Sequence, residues 1–130
     1  MDSRRVLLVA RDPDAGELYG AILGTAADAR SVWVPDSNAA QRLISSGMRF
    51  HALVFDVTLP SEWEACRTLA QSDGMPPVVV VTGWIAADGR FRQSAFDAGC
   101  AAFLAKPCDP RTLVDVVSRV QEGERHLEVL

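Results

Sequence analysis

The feature that most constrains the fold of this chain is a set of five short apolar runs at nearly even spacing along its 130 residues. The runs begin at positions 6, 31, 52, 78 and 102, so successive starts lie 25, 21, 26 and 24 residues apart. Each run is apolar throughout, a pattern typical of strands that are buried on both faces. The spacing leaves room for one helix and two loops between strands. The runs therefore predict a parallel sheet covered by helices on both faces.

The stretches between the runs are amphipathic and predict five helices. Five strands alternating with five helices indicate an α/β, doubly wound, flavodoxin-like fold with the five-stranded order 2-1-3-4-5. The predicted helix starts and bounds are, in chain order, Asp14 as the cap of the first helix, Asp36 or Ser37 as the cap of the second, a capping box of Ser61 and Glu64 at the third, residues 86–98 for the fourth, and Asp109-Pro110 for the fifth.

Glycine recurs every fourth residue on the first predicted helix, at Gly16, Gly20 and Gly24. A glycine inside a helix costs about 1 kcal/mol relative to alanine, so this repeat needs a reason. Two reasons stay open at this point. The glycines permit either tight packing of the helix against the sheet or a groove into which a partner docks.

Length and charge restrict the class of protein. A chain of 130 residues predicts a single domain, with a core at about 4–121 and a tail at 122–130 that extends the last helix or frays. The net charge of −4 provides no positive field for nucleic acid. No apolar run approaches the roughly 20 residues of a membrane helix, and the run behind Arg5 is too short for a signal peptide. We therefore expect a cytoplasmic protein that binds neither nucleic acid nor membrane.

Polar side chains from separate segments are expected to meet at one edge of the sheet. Ligands of doubly wound sheets bind beyond the carboxyl ends of the strands, where the strand order reverses. This edge is predicted to hold Asp12 after strand 1, Asp56 after strand 3, Thr82 with Gly83 after strand 4, and Lys106 after strand 5.

A carboxylate, a hydroxyl and an ammonium group in one place suit phosphoryl transfer. Asp56 is a candidate nucleophile towards phosphorus, while Lys106 would supply positive charge and Thr82 a hydrogen bond to a phosphoryl oxygen. Gly83 would leave room for the group beside the backbone. The residues alone leave a second interpretation open, in which Asp56 and Lys106 form an ordinary structural ion pair.

Three segments at these strand ends resemble the receiver domain of two-component response regulators, and the resemblance covers about residues 4–121. Val54-Phe55-Asp56-Val57-Thr58-Leu59-Pro60 resembles the family's phospho-acceptor segment. Val81-Thr82-Gly83 resembles its switch threonine followed by a small residue, and residues 96–107 resemble the stretch that ends in Lys-Pro.

This resemblance implies a signalling module and not an enzyme. Asp56 would accept a phosphoryl group from a histidine kinase or phosphotransferase, and Thr82 and Lys106 would hold it. Phe103 matches the aromatic residue that swings inward when the threonine moves. The face made by the fourth helix, the fifth strand and the fifth helix would then change shape for a downstream output protein or for a homodimer.

The chain departs from the family where Mg²⁺ is expected as a cofactor. Ala10 and Arg11 align with the family's two adjacent acids after strand 1, which leaves only Asp12 and Asp56 as candidate metal ligands. Replacing two negative charges by a neutral and a positive side chain weakens a Mg²⁺ site by orders of magnitude. We hypothesise that Arg11 pairs with Asp56 in the place of the metal. The alternative is that Arg11 extends into solvent.

Two further residues flank the expected site, and two other functions stay open. Trp84 would lie close enough to shield a phosphoryl group from water. Thr58 stands two positions after Asp56, where phosphatases of the haloacid dehalogenase type, a weaker match, need a second Asp. A small hydrolase with an Asp nucleophile is therefore a less favoured alternative. The main alternative is a receiver that acts without phosphorylation, as a protein-interaction module.

Overall fold

The computed structural model of this protein describes residues 4–26, 29–83 and 89–129. Within these ranges the chain alternates strands with helices, as the apolar runs predict. The elements are β1 (Arg4–Val9), α1 (Pro13–Ala26), β2 (Ala29–Val34), α2 (Ser37–Ser45), β3 (Ala52–Asp56), α3 (Pro60–Gln71), β4 (Val78–Thr82), α4 (Gly89–Asp97), β5 (Ala102–Ala105), α5 (Pro110–Gln121) and β6 (Leu127–Val129). The prediction that the fourth helix starts at residue 86 lies outside the described residues.

The strands form one parallel sheet in the order β2-β1-β3-β4-β5-β6. The predicted fold class and the predicted order of the first five strands are confirmed. The sixth strand corrects the prediction that residues 122–130 extend the last helix or fray. Leu127–Val129 instead pairs with β5, because the edge of a sheet offers unpaired backbone groups to any extended segment within reach.

The core lies on both faces of the sheet because the inner strands are apolar on both sides. Val6 and Leu8 of β1 pack into the layer under α1 and α5, whereas Leu7 and Val9 pack into the layer under α2, α3 and α4. Successive residues of a strand point to opposite faces, so the apolar runs of β1, β3, β4 and β5 divide their side chains between the two layers. No helix in the described part of the chain is both long and apolar enough to cross a membrane.

Two predicted helix starts are wrong by a few residues. The helix α1 begins at Pro13, and the carboxylate of Asp12 accepts a hydrogen bond from the backbone N–H of Asp14 at 3.0 Å. The helix α3 begins at Pro60, and the carboxylate of Glu62 accepts from the backbone of Leu59 at 2.7 Å. In both cases a proline occupies the first helical position, where its missing N–H costs nothing, and the cap shifts accordingly.

Gly16 is buried because Trp33 of the edge strand β2 lies against it. A Cβ atom at position 16 would lie 2.1 Å from Trp33 Cδ1. A Cβ atom at position 24 would have the backbone oxygen of Ala29 as its nearest neighbour, at 3.9 Å. The indole Nε1 donates to the carbonyl oxygen of Ala10 at 2.8 Å. At Gly16 the glycine repeat therefore serves tight packing of α1 on the sheet.

Substituting alanine at these two glycines should give opposite results. We expect Gly16→Ala to destabilise the fold by about 1–3 kcal/mol, because the new methyl group displaces Trp33 from Ala10. Gly24→Ala should stabilise it by about 0.5–1 kcal/mol, because alanine favours the helix and its methyl group would make only an ordinary van der Waals contact. Urea unfolding of both variants measures the two changes, and equal effects of the two substitutions would contradict this packing.

Candidate functional site

The candidate site lies where β3 ends beside β1, at the edge where the strand order reverses. Asp56 is the last residue of β3 and is only 3% exposed, between the buried Phe55 and Val57. Val9 pairs with Phe55 in the sheet, so the next residues, Ala10 and Asp56, stand side by side on neighbouring strands. A carboxylate buried in this way requires a partner of opposite charge or several hydrogen bonds.

Lys106 provides that partner. Its Nζ lies 2.7 Å from Asp56 Oδ1, and the lysine side chain is 33% exposed against 4% for the aspartate. The Oδ1 atom is buried and accepts no hydrogen bond of good geometry, so the ion pair is its only described stabilisation. The structure thus brings together the carboxylate and the ammonium group that the sequence placed at separate strand ends.

Thr82 is the last residue of β4, and Gly83 follows it. Thr82 is fully buried, and its hydroxyl donates to the backbone carbonyl of Val57 at 2.8 Å. The backbone N–H of Lys106 donates to the Thr82 carbonyl at 2.9 Å, which ties the ends of β4 and β5 together. Gly83 is exposed, and a Cβ atom there would lie 3.4 Å from Lys106 Cβ. To bind a phosphoryl group, the Thr82 hydroxyl would have to leave the Val57 carbonyl.

Phe103 lies inside the sheet's second layer. It is fully buried in β5 and packs in the core beside Phe55 and Trp63, under α2, α3 and α4. The aromatic side chain that the family resemblance singled out therefore points inward in this structure.

Tyr19 of α1 is a site residue that the sequence analysis missed. Its hydroxyl donates to Asp56 Oδ2 across 3.5 Å, a long and weak hydrogen bond, and the residue is only 8% exposed. Burial raises the pKa of the Tyr19 phenol well above its ordinary value, and the negative charge of Asp56 raises this pKa further. The available signal was a hydroxyl-bearing side chain on the face of α1 that also carries the buried Leu23.

Titration of this phenol should report on Asp56, because Tyr19 is the single tyrosine of the chain. Its pKa in the folded protein exceeds the ordinary value of about 10, so its contribution to stability is complete below that pH and is lost as the pH rises further. We expect Asp56→Asn to lower the Tyr19 pKa, since the neighbouring negative charge is removed while burial remains. Tyrosinate absorbance during a pH titration measures this shift. An unchanged Tyr19 pKa in the variant would contradict an electrostatic interaction between Asp56 and Tyr19.

The loop after β1 does not hold Asp56 through Arg11. Ala10 continues the sheet by donating its N–H to the Val34 carbonyl at 3.1 Å, and its side chain is buried beside Asp56. Arg11 lies in the bend that follows β1, beyond the last residue of the strand. Arg11 is exposed and forms no ion pair with any described carboxylate. The hypothesis that Arg11 takes the metal's place is therefore wrong, and Lys106 is the cation at this site.

The described carboxylates do not fit a Mg²⁺ ion. Mg²⁺ requires octahedral oxygen ligands, and the position beside Asp56 is the methyl group of Ala10. Asp12 is exposed and uses Oδ1 to cap α1. Among the described residues, no group of three or more His, Cys, Asp or Glu side chains could hold a metal ion. No step at this site is therefore assigned to a metal.

The sequence analysis placed two further residues, Thr58 and Trp84, beside the site. Thr58 is exposed, and its hydroxyl donates to Glu62 Oε1 at 2.7 Å, so it belongs to the start of α3. Trp84 lies outside the described residues.

Comparisons with known proteins show the family and the fold of this chain. The family model of the response regulator receiver domain matches residues 6–118. A LuxR family DNA-binding response regulator from Silicibacter pomeroyi has a TM-score of 0.80 at 20% identity, covering 98% of this chain and 96% of that one. A CheY-like receiver domain protein from Methanospirillum hungatei JF-1 has a TM-score of 0.79 at 20% identity, covering 93% and 95% of the two chains.

A third similar structure is the signal receiver domain of a signal transduction histidine kinase from Syntrophus aciditrophicus. It has a TM-score of 0.77 at 25% identity and covers 97% of this chain and 96% of that one. No curated protein sequence matches this chain at a significant level.

Proposed function

Because this chain belongs to the response regulator receiver domain family of two-component signalling, we propose that it accepts a phosphoryl group on Asp56 from a histidine kinase or phosphotransferase. The observation that carries this proposal is the 2.7 Å contact between the buried Asp56 carboxylate and the Lys106 ammonium group. Phosphoryl transfer needs positioning and positive charge around the transferring oxygens, and this pair supplies both.

In the proposed step, a carboxylate oxygen of Asp56 forms a bond to phosphorus while the P–N bond to the partner's histidine breaks. The leaving imidazole nitrogen keeps the electron pair of that bond. Lys106 would stabilise the charge on the phosphoryl oxygens, as preorganised cations do in such sites. Thr82 would exchange its hydrogen bond to the Val57 carbonyl for one to a phosphoryl oxygen.

A groove beside this site offers a surface to the phosphoryl donor. It has a volume of about 480 Å³ between α1 and the start of α5, and the residues that line it include Tyr19 and Lys106. Leu18 on its wall is 59% exposed. An apolar wall of this kind next to a reacting carboxylate suits a helix of the donor protein.

The signal would leave the domain through α4, β5 and α5, which carry Phe103 and follow Thr82 in the chain. Phosphorylation of Asp56 would change the charge next to the ends of β4 and β5, so these strands would respond first. The proposed recipients are a downstream output protein or a second copy of the domain.

The receiver is proposed to be atypical, because Ala10 stands beside Asp56 where the family has an acid. A second observation favours one alternative function, a receiver that binds its partner without phosphorylation, because Lys106 and Tyr19 already contact the two oxygens of Asp56. A hydrolase is not proposed, because the Thr58 hydroxyl is bound to Glu62 and does not serve as a second acid.

Incubation with a small acyl phosphate, followed by intact-mass measurement, tests the proposal. We expect the wild type to gain one phosphoryl group and Asp56→Asn to gain none. Asp12→Asn is the matched control, because it removes a carboxylate from the same edge of the sheet without touching Asp56. Retained partner binding with no adduct would favour the phosphorylation-independent module, and turnover of the donor without an adduct would favour a hydrolase.

A further inference from the structure

The strand β6 closes the sheet beyond β5 and is held by its backbone. Leu127, Glu128 and Val129 pair in parallel with residues 102–104 of β5, and the Leu127 N–H donates to the Ala101 carbonyl at 3.1 Å. Without β6, the backbone groups along this edge of β5 would be open to any extended segment.

The side chains of β6 fit this edge in a defined pattern. Leu127 and Val129 pack against the core layer under α5. Glu128, which lies between them, points to the other face, where its Oε1 lies 2.8 Å from Nε of Arg92 on α4. The edge therefore selects an extended segment with an acidic residue between two apolar ones, and this chain carries such a segment itself.

The connection to β6 is short, and its backbone is strained. It consists of residues 122–126, between the end of α5 and the start of β6. Gly123 has φ +101°, and His126, with φ +60°, has the only positive φ among the described residues other than glycine. A left-handed backbone at a residue with a side chain costs free energy, and short strained hinges favour the exchange of the segment that they carry.

We propose that the β5 edge, together with Arg92, is a docking surface for the β6 strand of a second copy of this chain. In the resulting dimer the two copies exchange Leu127–Val129 reciprocally around a two-fold axis. Each backbone pairing and each Arg92–Glu128 ion pair of the single chain is remade between the copies. The connection 122–126 opens into an extended path, which relieves the left-handed conformation of His126.

A charge-reversal mixture tests this exchange. Arg92→Glu alone places two carboxylates at the contact, and Glu128→Arg alone places two guanidinium groups there, so each variant opposes pairing within its own chain. In an exchanged heterodimer of the two variants, both contacts again join opposite charges. We expect native mass spectrometry of the equimolar mixture to show heterodimers in about tenfold excess over either homodimer. The double variant R92E/E128R should behave as the wild type does, which shows that the fold tolerates both changes.

A mixture of Arg67→Glu with Glu64→Arg is the matched control, because it reverses the charges of an exposed ion pair within α3, with a distance of 3.1 Å, far from β6. This mixture should give no heterodimer. If the Arg92→Glu and Glu128→Arg mixture also stays monomeric while the double variant regains wild-type stability, β6 pairs only within its own chain and the proposal is overturned.

Discussion

Replacing Lys106 with methionine is expected to slow phosphoryl transfer to Asp56 by about two orders of magnitude or more, because one preorganised charge is typically worth that much at a reacting centre. Lys106 Nζ is the one described cation in ion-pair contact with Asp56. Methionine keeps an unbranched apolar side chain at this position and removes the charge. Adduct formation with a small acyl phosphate, followed by intact mass over time, measures the rate.

The same substitution should also destabilise the fold by about 1–3 kcal/mol, less than for a fully buried pair because the Lys106 side chain is one-third exposed. The loss arises because Asp56 would keep a buried charge without its partner. Adding Asp56→Asn to Lys106→Met should recover most of this stability but none of the phosphoryl transfer. If Lys106→Met were phosphorylated at the wild-type rate, Lys106 would have no role in phosphoryl transfer.

Placing acids after β1 should raise the affinity of the protein for Mg²⁺. The double variant A10D/R11D places a carboxylate beside Asp56 and removes a positive charge nearby, so we expect Mg²⁺ affinity to rise by about a hundredfold or more. Without metal, the new carboxylate at the buried position 10 should destabilise the fold, and Mg²⁺ should reverse that loss.

Calorimetric titration and melting curves with and without Mg²⁺ measure these two effects. Arg11→Asp alone is the control, and it should gain less, since it leaves the buried Ala10 beside Asp56 unchanged. Trp33 donates to the Ala10 carbonyl, so its fluorescence should change when the metal binds. Tight Mg²⁺ binding by the wild type would contradict the misfit seen at Ala10.

The parallel sheet could be predicted because burial on both faces leaves a plain mark in the sequence. The starts of β3, β4 and β5 fall at positions 52, 78 and 102, where their apolar runs begin. The strands β1 and β2 begin two residues before their runs, at Arg4 and Ala29, because backbone pairing continues through polar residues at the sheet's periphery. The strand β6 has only three residues and alternates, so it carried no comparable signal.

The site could be predicted only as far as strand ends determine it. Asp56 and Lys106 follow apolar runs, and topology alone brings such positions together. The role of Tyr19 depends on how α1 is rotated about its axis against the sheet. The sequence pattern of α1 does not determine that rotation. The exposure of Arg11 depends on the bend that the chain makes after Ala10, and the sequence does not give the shape of that bend.

Chemical localisation of the phosphoryl group tests the central claim most directly. An aspartyl phosphate is an acyl phosphate, so borohydride reduces it to the corresponding alcohol and leaves homoserine in its place. After incubation with a small acyl phosphate, reduction and digestion, peptide sequencing by mass spectrometry should find homoserine at position 56 and at no other aspartate. Homoserine at Asp12, or no converted residue under conditions that convert a typical receiver domain, would contradict the assignment of Asp56 as the phospho-acceptor.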